Sequence, residues 1–393
     1  MHQPAPAPQP GVERQQELYR AGRPGPQGIP VSIEDVERRA KEQISHEAYD
    51  YVAGGAGSED TMRANLEAFR RWRLEPRMLR DVHLRDLTVQ VLGTDIPFGV
   101  LLAPVGALGC LAQHPELTVA RAAAGLRVPF TLTSVSSTPM EHVAQAMGPV
   151  PAWFQLYWSK EPEIAASFVR RAEQAGFRAI VVTVDTPILA WRERDLSQAY
   201  LPFMHGHGLA NYFSDPVFRS QLARPPEQDP AAAIQHFLGI FGNPALTWDG
   251  LTFLRQHTRL PVVLKGIVSA DDAARAVDAG VDGIIVSNHG GRQVDGAVGA
   301  LDALPRVVDA LRGRMPVLFD SGIRRGADVL KALALGARAV FLGRPYVWGL
   351  AAAGEEGVRH VLANLRGDLD LTLALCGLTA LTQVDRSVLR SAY

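Results

Sequence analysis

The chain is poor in cysteine: Cys110 and Cys376 are its only two in 393 residues. Two thiols so far apart give no disulfide framework, so the core must hold the fold, and a reducing compartment is the expected setting. Long apolar runs are also missing. None reaches the roughly 20 residues needed to span a bilayer, so no membrane is expected as partner. No sign of charge dominates: 40 Lys and Arg against 41 Asp and Glu leave a net charge of −1. That offers no electrostatic footprint for nucleic acid or an anionic surface. Met1–Pro10 is rich in Pro and Gln without an apolar centre, so no secretory leader is expected and the cytoplasm is the expected location. No metal site is expected. What is present, 47% hydrophobic and 21% charged residues, suits a globular fold with a large core. The length would allow two or three domains, but an α/β barrel with insertions uses it as one.

Eight short apolar runs recur along the chain: Gly99–Leu102, Phe130–Thr133, Trp153–Leu156, Ala179–Val184, Pro261–Leu264, Gly283–Val286, Pro316–Phe319 and Ala339–Leu342. They are rich in Val, Ile, Leu and Phe and do not alternate, as expected for strands buried on both faces of a parallel sheet. Helical periodicity lies between most of them, at Glu116–Ala124, Ile164–Ala175, Ala270–Ala279 and Ala327–Leu335, the last closed by Gly336. Eight strands alternating with helices predict a TIM (β/α)8 barrel. Polar and glycine residues follow the runs, among them Asn288, His289, Arg292, Asp320, Arg324 and Arg344. That is the rim where barrels place their sites.

Residues 1–30 are expected to form a flexible arm or to drape on the surface, and 31–393 to form the barrel domain. Ser32 reads as an N-cap with Asp35 as its partner, opening a helix that runs through Ile44 to Val52; Ser58–Phe69 reads as a second helix. Trp72–Asp95 reads as a polar connection or a small antiparallel cap. Residues 190–248 show no clear strand and form a long insertion after the fourth, expected as a lid or a disordered loop. Tyr346–Leu365 and Leu371–Leu389 read as helices.

The segments SNHGGRQ from Ser287, DSGIRRG from Asp320 and LGRP from Leu342 occur in this order. Together they resemble the FMN-dependent α-hydroxy acid oxidase family, which includes glycolate oxidase, lactate oxidase and lactate 2-monooxygenase. The similarity runs from about Val31 to the end. YVAGGAGSE at Tyr51, WRERDL at Trp191 and the insertion carrying LANYFSDPVF resemble the lactate 2-monooxygenase branch.

The resemblance implies FMN as cofactor. Its phosphate needs backbone N–H donors and arginines, which Gly322, Arg324, Gly343 and Arg344 can supply, with Ser321 beside them and Asp320 on the ribityl chain. The blander reading of the two arginines is a pair of surface ion pairs. Pro104, Val105, Gly106, Ser134, Gln155, Thr183 and Ser287 would meet the isoalloxazine, and Gly106 would leave room for oxygen beside it. Lys265, otherwise a plain buried ion-pair partner, would stabilise negative charge near flavin N1. Arg192 and Arg292 would clamp the substrate carboxylate, and Arg194 reads as a solvated neighbour. Tyr51 and Tyr157 would bond the substrate. Tyr51 could equally be an aromatic packed under a loop. His289 would be the base and Asp185 its orienting carboxylate.

The expected reaction is oxidation of a small L-2-hydroxy acid, L-lactate first, by O2. Retention of products would give acetate, CO2 and water. The alternatives are an oxidase releasing the 2-keto acid and hydrogen peroxide, or a quinone-linked dehydrogenase. A type 2 isopentenyl diphosphate isomerase would share the phosphate motif but would not need Arg192 together with His289 and Arg292. A catalytically silent flavin scaffold would not need the acid–base set. The family also implies a homo-oligomer, a tetramer or octamer.

Overall fold

The computed structural model of the chain describes residues 9–22 and 28–392. Its centre is a closed barrel of eight parallel strands: Val100–Leu102, Phe130–Thr133, Ala152–Tyr157, Ile180–Thr183, Val262–Ile267, Gly283–Val286, Val317–Phe319 and Ala339–Leu342. The last pairs back onto the first, Val340 opposite Val100. The TIM barrel is therefore as expected. Each strand is buried along nearly its whole length, which is why its sequence reads as an unbroken apolar run rather than an alternation.

The helices fall close to their expected positions, at Pro115–Gly125, Pro162–Ala175, Ala270–Asp278 and Gly326–Ala334. Two more, Met140–Met147 and Gly250–His257, are short and have no expected counterpart.

Four outer segments differ from expectation. The helix opened by Ser32 ends at Gln43, and a new one, capped by Ser45, covers His46–Ala53. A second serine cap in the middle of the periodic run is what divides it. Within residues 1–30, Pro10–Ala21 is a helix rather than a flexible arm. Gly11 N–H donates to buried Asp370 at 3.0 Å, and Arg14 Nε donates to Asn364 at 2.8 Å. Residues 1–8 and 23–27 lie outside the described residues.

The tail is one helical span, Arg344–Leu375, that turns sharply at Ala353 and Gly354. Beyond it the expected helix over Leu371–Leu389 gives way to short turns and the strand Leu389–Ser391, which pairs antiparallel with Trp72–Leu74. A strand whose partner lies some 300 residues away carries no local signal. The antiparallel cap expected within Trp72–Asp95 is present as Val89–Val91 against Thr94–Ile96.

The insertion is ordered and contains short helices, among them Glu193–Ser197, Ala210–Phe213, Pro216–Ser220 and Pro230–Ile240. Phe203, Tyr212, Phe218 and Phe237 are buried within it and pack edge to face. Buried Asn211 ties it to the barrel, donating to the carbonyl of Ser134 at 3.1 Å and accepting from Met140 N–H at 2.8 Å. No helix among the described residues is long and apolar enough to cross a membrane.

Candidate active site

The strand ends open into one cleft of about 1040 Å³. Its lining includes fifteen of the residues singled out in the sequence: Tyr51, Pro104, Val105, Gly106, Tyr157, Arg192, Lys265, His289, Arg292, Asp320, Ser321, Gly322, Arg324, Gly343 and Arg344. Ser134, Gln155, Thr183, Asp185 and Ser287 do not line it. They lie just beneath or beside it, bonded to their neighbours. Thr133 Oγ1 donates to Gln155 Oε1 at 2.7 Å, and Gln155 Nε2 donates to Thr183 Oγ1 at 2.9 Å. Ser134 Oγ accepts from Tyr157 N–H at 3.0 Å.

His289 follows the sixth strand in the left-handed region, at φ 59°, and Gly290 and Gly291 continue the turn at 66° and 76°. A Cβ on Gly291 would meet Met62 N at 2.6 Å, so a glycine is needed there for the loop to pass against the helix Asp60–Arg70. The loop is pinned by His289 N–H on Ser287 Oγ at 3.0 Å and by Gly290 N–H on Ser321 Oγ at 3.0 Å. This holds the imidazole with Nδ1 2.8 Å from Asp185 Oδ1 and Nε2 3.3 Å from the Tyr157 hydroxyl. Burial pushes His289 below the usual histidine range, helped by the Lys265 and Arg192 cations and opposed by Asp185. Burial acts upward on Asp185, but His289 and Lys265 more than offset it and hold the carboxyl below its usual range. A carboxylate facing a neutral imidazole places the ring proton on Nδ1 and leaves Nε2 free to accept one.

Lys265 lies within the fifth strand, paired with Thr183. Its ammonium donates to Ser287 Oγ at 3.1 Å and lies 3.3 Å from Asp320. Burial opposes its charge, but Asp320 and Asp185 outweigh burial, so it stays cationic. Four arginines share the cleft without an ion pair among the described residues: Arg192, Arg292, Arg324 and Arg344. Arg344 donates to the carbonyls of Val52, Gly54 and Gly290 at 2.8, 2.9 and 3.1 Å. Arg292 donates to the Gly54 carbonyl at 2.7 Å and lies over the Tyr51 ring, 5.1 Å from its centroid. Burial, then the nearby Arg192, lowers Arg292 to about 10. Burial likewise lowers Arg324, and lowers Arg344 well below its ordinary value.

Arg194 is not simply solvated: it bonds Glu59 at 2.7 Å and Asp50 at 3.3 Å. The three glycines of the cleft differ in what their missing side chains leave room for. A Cβ on Gly343 would meet only Ala103, at 3.9 Å, but one on Gly322 would strike Asn65 O and the Phe69 ring at 2.9 Å. One on Gly106 would strike Val135 Cγ2 at 2.6 Å. Gly322 and Gly106 thus admit neighbouring protein atoms, while both also line the cleft. Thr186, Leu189, Phe203 and Phe241 also line the cleft and were missed in the sequence. Three of them lie in or beside an insertion with no strand pattern. Only the place of Thr186, next to Asp185, could have drawn attention to it.

Arginines without an ion pair among the described residues share this barrel mouth with a buried histidine–carboxylate pair, a setting that suits an anionic cofactor. The profile of the FMN-dependent dehydrogenase family matches residues 40–391. An FMN-dependent alpha-hydroxy acid dehydrogenase of Penicillium citrinum is 44% identical over 358 residues, covering 90% of this chain and 89% of that one. An L-lactate oxidase of Lysinibacillus sphaericus is 44% identical over 353 residues, covering 90% and 91%. The crystal structure of a mandelate oxidase superposes with a TM-score of 0.81 at 40% identity, covering 92% of this chain and 98% of that one. The chain belongs to the FMN-dependent dehydrogenase family, and FMN is its cofactor. The donor set suits that group, because unpaired guanidiniums enclosed by protein call for an anion.

Proposed function

We propose that the protein oxidises a small L-2-hydroxy acid with O2, L-lactate being the substrate to test first. Arg324, Arg344 and the backbone around Ser321, Gly322 and Gly343 would hold the FMN phosphate, and Asp320 the ribityl chain. Ser134, Gln155, Thr183, Ser287, Lys265 and the Pro104–Gly106 backbone would hold the isoalloxazine. When bound, FMN accepts the two electrons that leave the substrate α-carbon.

The chain's own part is positioning and proton transfer. Arg292 and Arg192 would grip the substrate carboxylate, whose planar pair of oxygens matches the guanidinium fork. Tyr51 and Tyr157 would bond its remaining oxygens. Nε2 of His289 would take the substrate proton, and the anionic Asp185 would stabilise the resulting imidazolium. The observation that carries this reading is the His289–Asp185 contact of 2.8 Å in the same cleft as the unpaired Arg292.

For the outcome after oxidation we favour retention. The insertion roofs the cleft with Phe203 and Phe241 and is packed on its own aromatic cluster. A roof held this firmly favours keeping the 2-keto acid with the hydrogen peroxide until they react, which turns lactate into acetate, CO2 and water. The same aromatic wall supports a second reading, a 2-hydroxy acid with a bulkier apolar side chain released as the keto acid. Aerobic turnover of L-lactate, glycolate and mandelate, with acetate and peroxide measured together, tests both. Acetate matching lactate consumed supports retention. Peroxide matching keto acid refutes it.

A further inference from the structure

The carboxylate of Asp185 is set by more than His289. Thr186 Oγ1 donates to Asp185 Oδ1 at 3.2 Å and lies 3.3 Å from His289 Nδ1. On another side runs Gly266, in the irregularity that breaks strand pairing between Lys265 and Ile267. A Cβ on Gly266 would come 2.6 Å from Asp185 Cβ and Cγ and 2.8 Å from Oδ2, and its φ of 110° is one that side-chain-bearing residues rarely adopt. Asp185 Oδ2 is buried without a hydrogen-bond partner among the described residues. All hydrogen bonding to this carboxylate therefore passes through Oδ1, which the imidazole and the threonine hydroxyl share. Thr186 and its surroundings are not ordinary core packing. The residue stands between the main cleft and a second cavity lined by Trp158, Asn243, Trp248 and Gly266.

We propose that Thr186 and Gly266 are positioning residues for the proton acceptor: Thr186 bonds the oxygen that faces the imidazole, and Gly266 leaves the space in which the carboxylate sits. This rests on reading His289 as the base. A hydroxyl donating to Oδ1 draws off part of the charge that would otherwise stabilise the imidazolium. Without it, Oδ1 serves the imidazole alone, and His289 holds a proton to higher pH. The other charged and titratable groups facing His289 are Lys265 from the fifth strand, Arg192 from the insertion and Tyr157 from the third strand. A substitution at Thr186 leaves all three in place.

The test uses FMN-loaded enzyme and measures anaerobic flavin reduction by L-lactate against pH, with saturation curves at each pH. Thr186→Val is expected to move the acid limb of kcat/KM up by about one pH unit with KM at the optimum little changed. Thr186→Ser restores the original limb. In an Asp185→Asn background, Thr186→Val produces no further shift. Gly266→Ala slows reduction by about tenfold or more with Asp185 present, and by much less in Asp185→Asn. If Gly266→Ala does not accumulate as folded protein, the Thr186 variants carry the test. A Thr186→Val limb identical to the parent's, or an equal shift in both backgrounds, overturns the proposal. Retained flavin reduction in His289→Ala would instead refute the base assignment on which it rests.

Discussion

Asp185 Oδ1 lies 2.8 Å from Nδ1 of His289, although 103 residues separate them and they follow different strands. The contact directs the imidazole's other nitrogen toward Tyr157 and the cleft. It makes the first prediction specific. His289→Ala should lower the rate of flavin reduction by about 10²- to 10⁴-fold while FMN stays bound. In the parent, kcat/KM should fall as the pH drops through the free-enzyme value of His289, because the protonated ring cannot accept a proton. Normal anaerobic bleaching of the variant's yellow colour would refute the role.

Arg292 is half-buried in the cleft wall and has no carboxylate partner among the described residues. Arg292→Lys should raise the substrate KM by about 10- to 100-fold, since a single ammonium cannot make two parallel bonds to a carboxylate. Substrate saturation unchanged from the parent would count against the clamp.

Lys265 sits 3.3 Å from Asp320 and is kept cationic by Asp320 and Asp185. Lys265→Met should make bound FMN harder to reduce and slow reduction by about tenfold or more, because a fixed positive charge favours the electron-rich form. The midpoint potential, measured by equilibration with a reference dye, should move negative. A potential equal to the parent's would show that the lysine serves packing alone.

His360 should couple pH to the docking of the N-terminal helix. Arg14 Nη2 lies 2.9 Å from its Nδ1 and the Pro30 carbonyl 2.9 Å from its Nε2, an arrangement that requires the neutral ring. Burial, then Arg14, lowers it to about 4. The unfolded chain therefore takes up this proton first. The stability it contributes is fully present above about pH 6.5 and is lost as the pH falls from there toward 4. With allowance for solvent, that loss is about 2 kcal/mol. Thermal unfolding between pH 7 and 4 should show it, and His360→Gln should flatten the slope. An equal slope in both proteins would exclude His360 as the cause.

The barrel was legible because each strand is buried on both faces and so is marked by composition alone, as at Gly283–Val286 and Ala339–Leu342. Site residues were legible for a related reason. Strand ends are where the apolar run stops, so Lys265, His289 and Asp320 announce themselves by following one. The insertion gave no such signal, because its order comes from Phe203, Tyr212, Phe218 and Phe237 packing on one another from separate short turns. The strand Leu389–Ser391 was hidden for the same reason, since its only partner among the described residues is Trp72–Leu74.

Residue order and type alone determined the eightfold repeat, the family motifs and the set of charged groups at the strand ends. Hydrophobic burial acts on each run locally and leaves its mark there. Tertiary structure alone decided that Asp185 meets His289 through a single oxygen shared with Thr186, that Gly106 and Gly322 admit protein atoms, and that four arginines converge without an ion pair among the described residues. Hydrogen bonds and steric contacts reach only a few ångströms, so they follow from closing the barrel and cannot be read from any stretch of chain by itself.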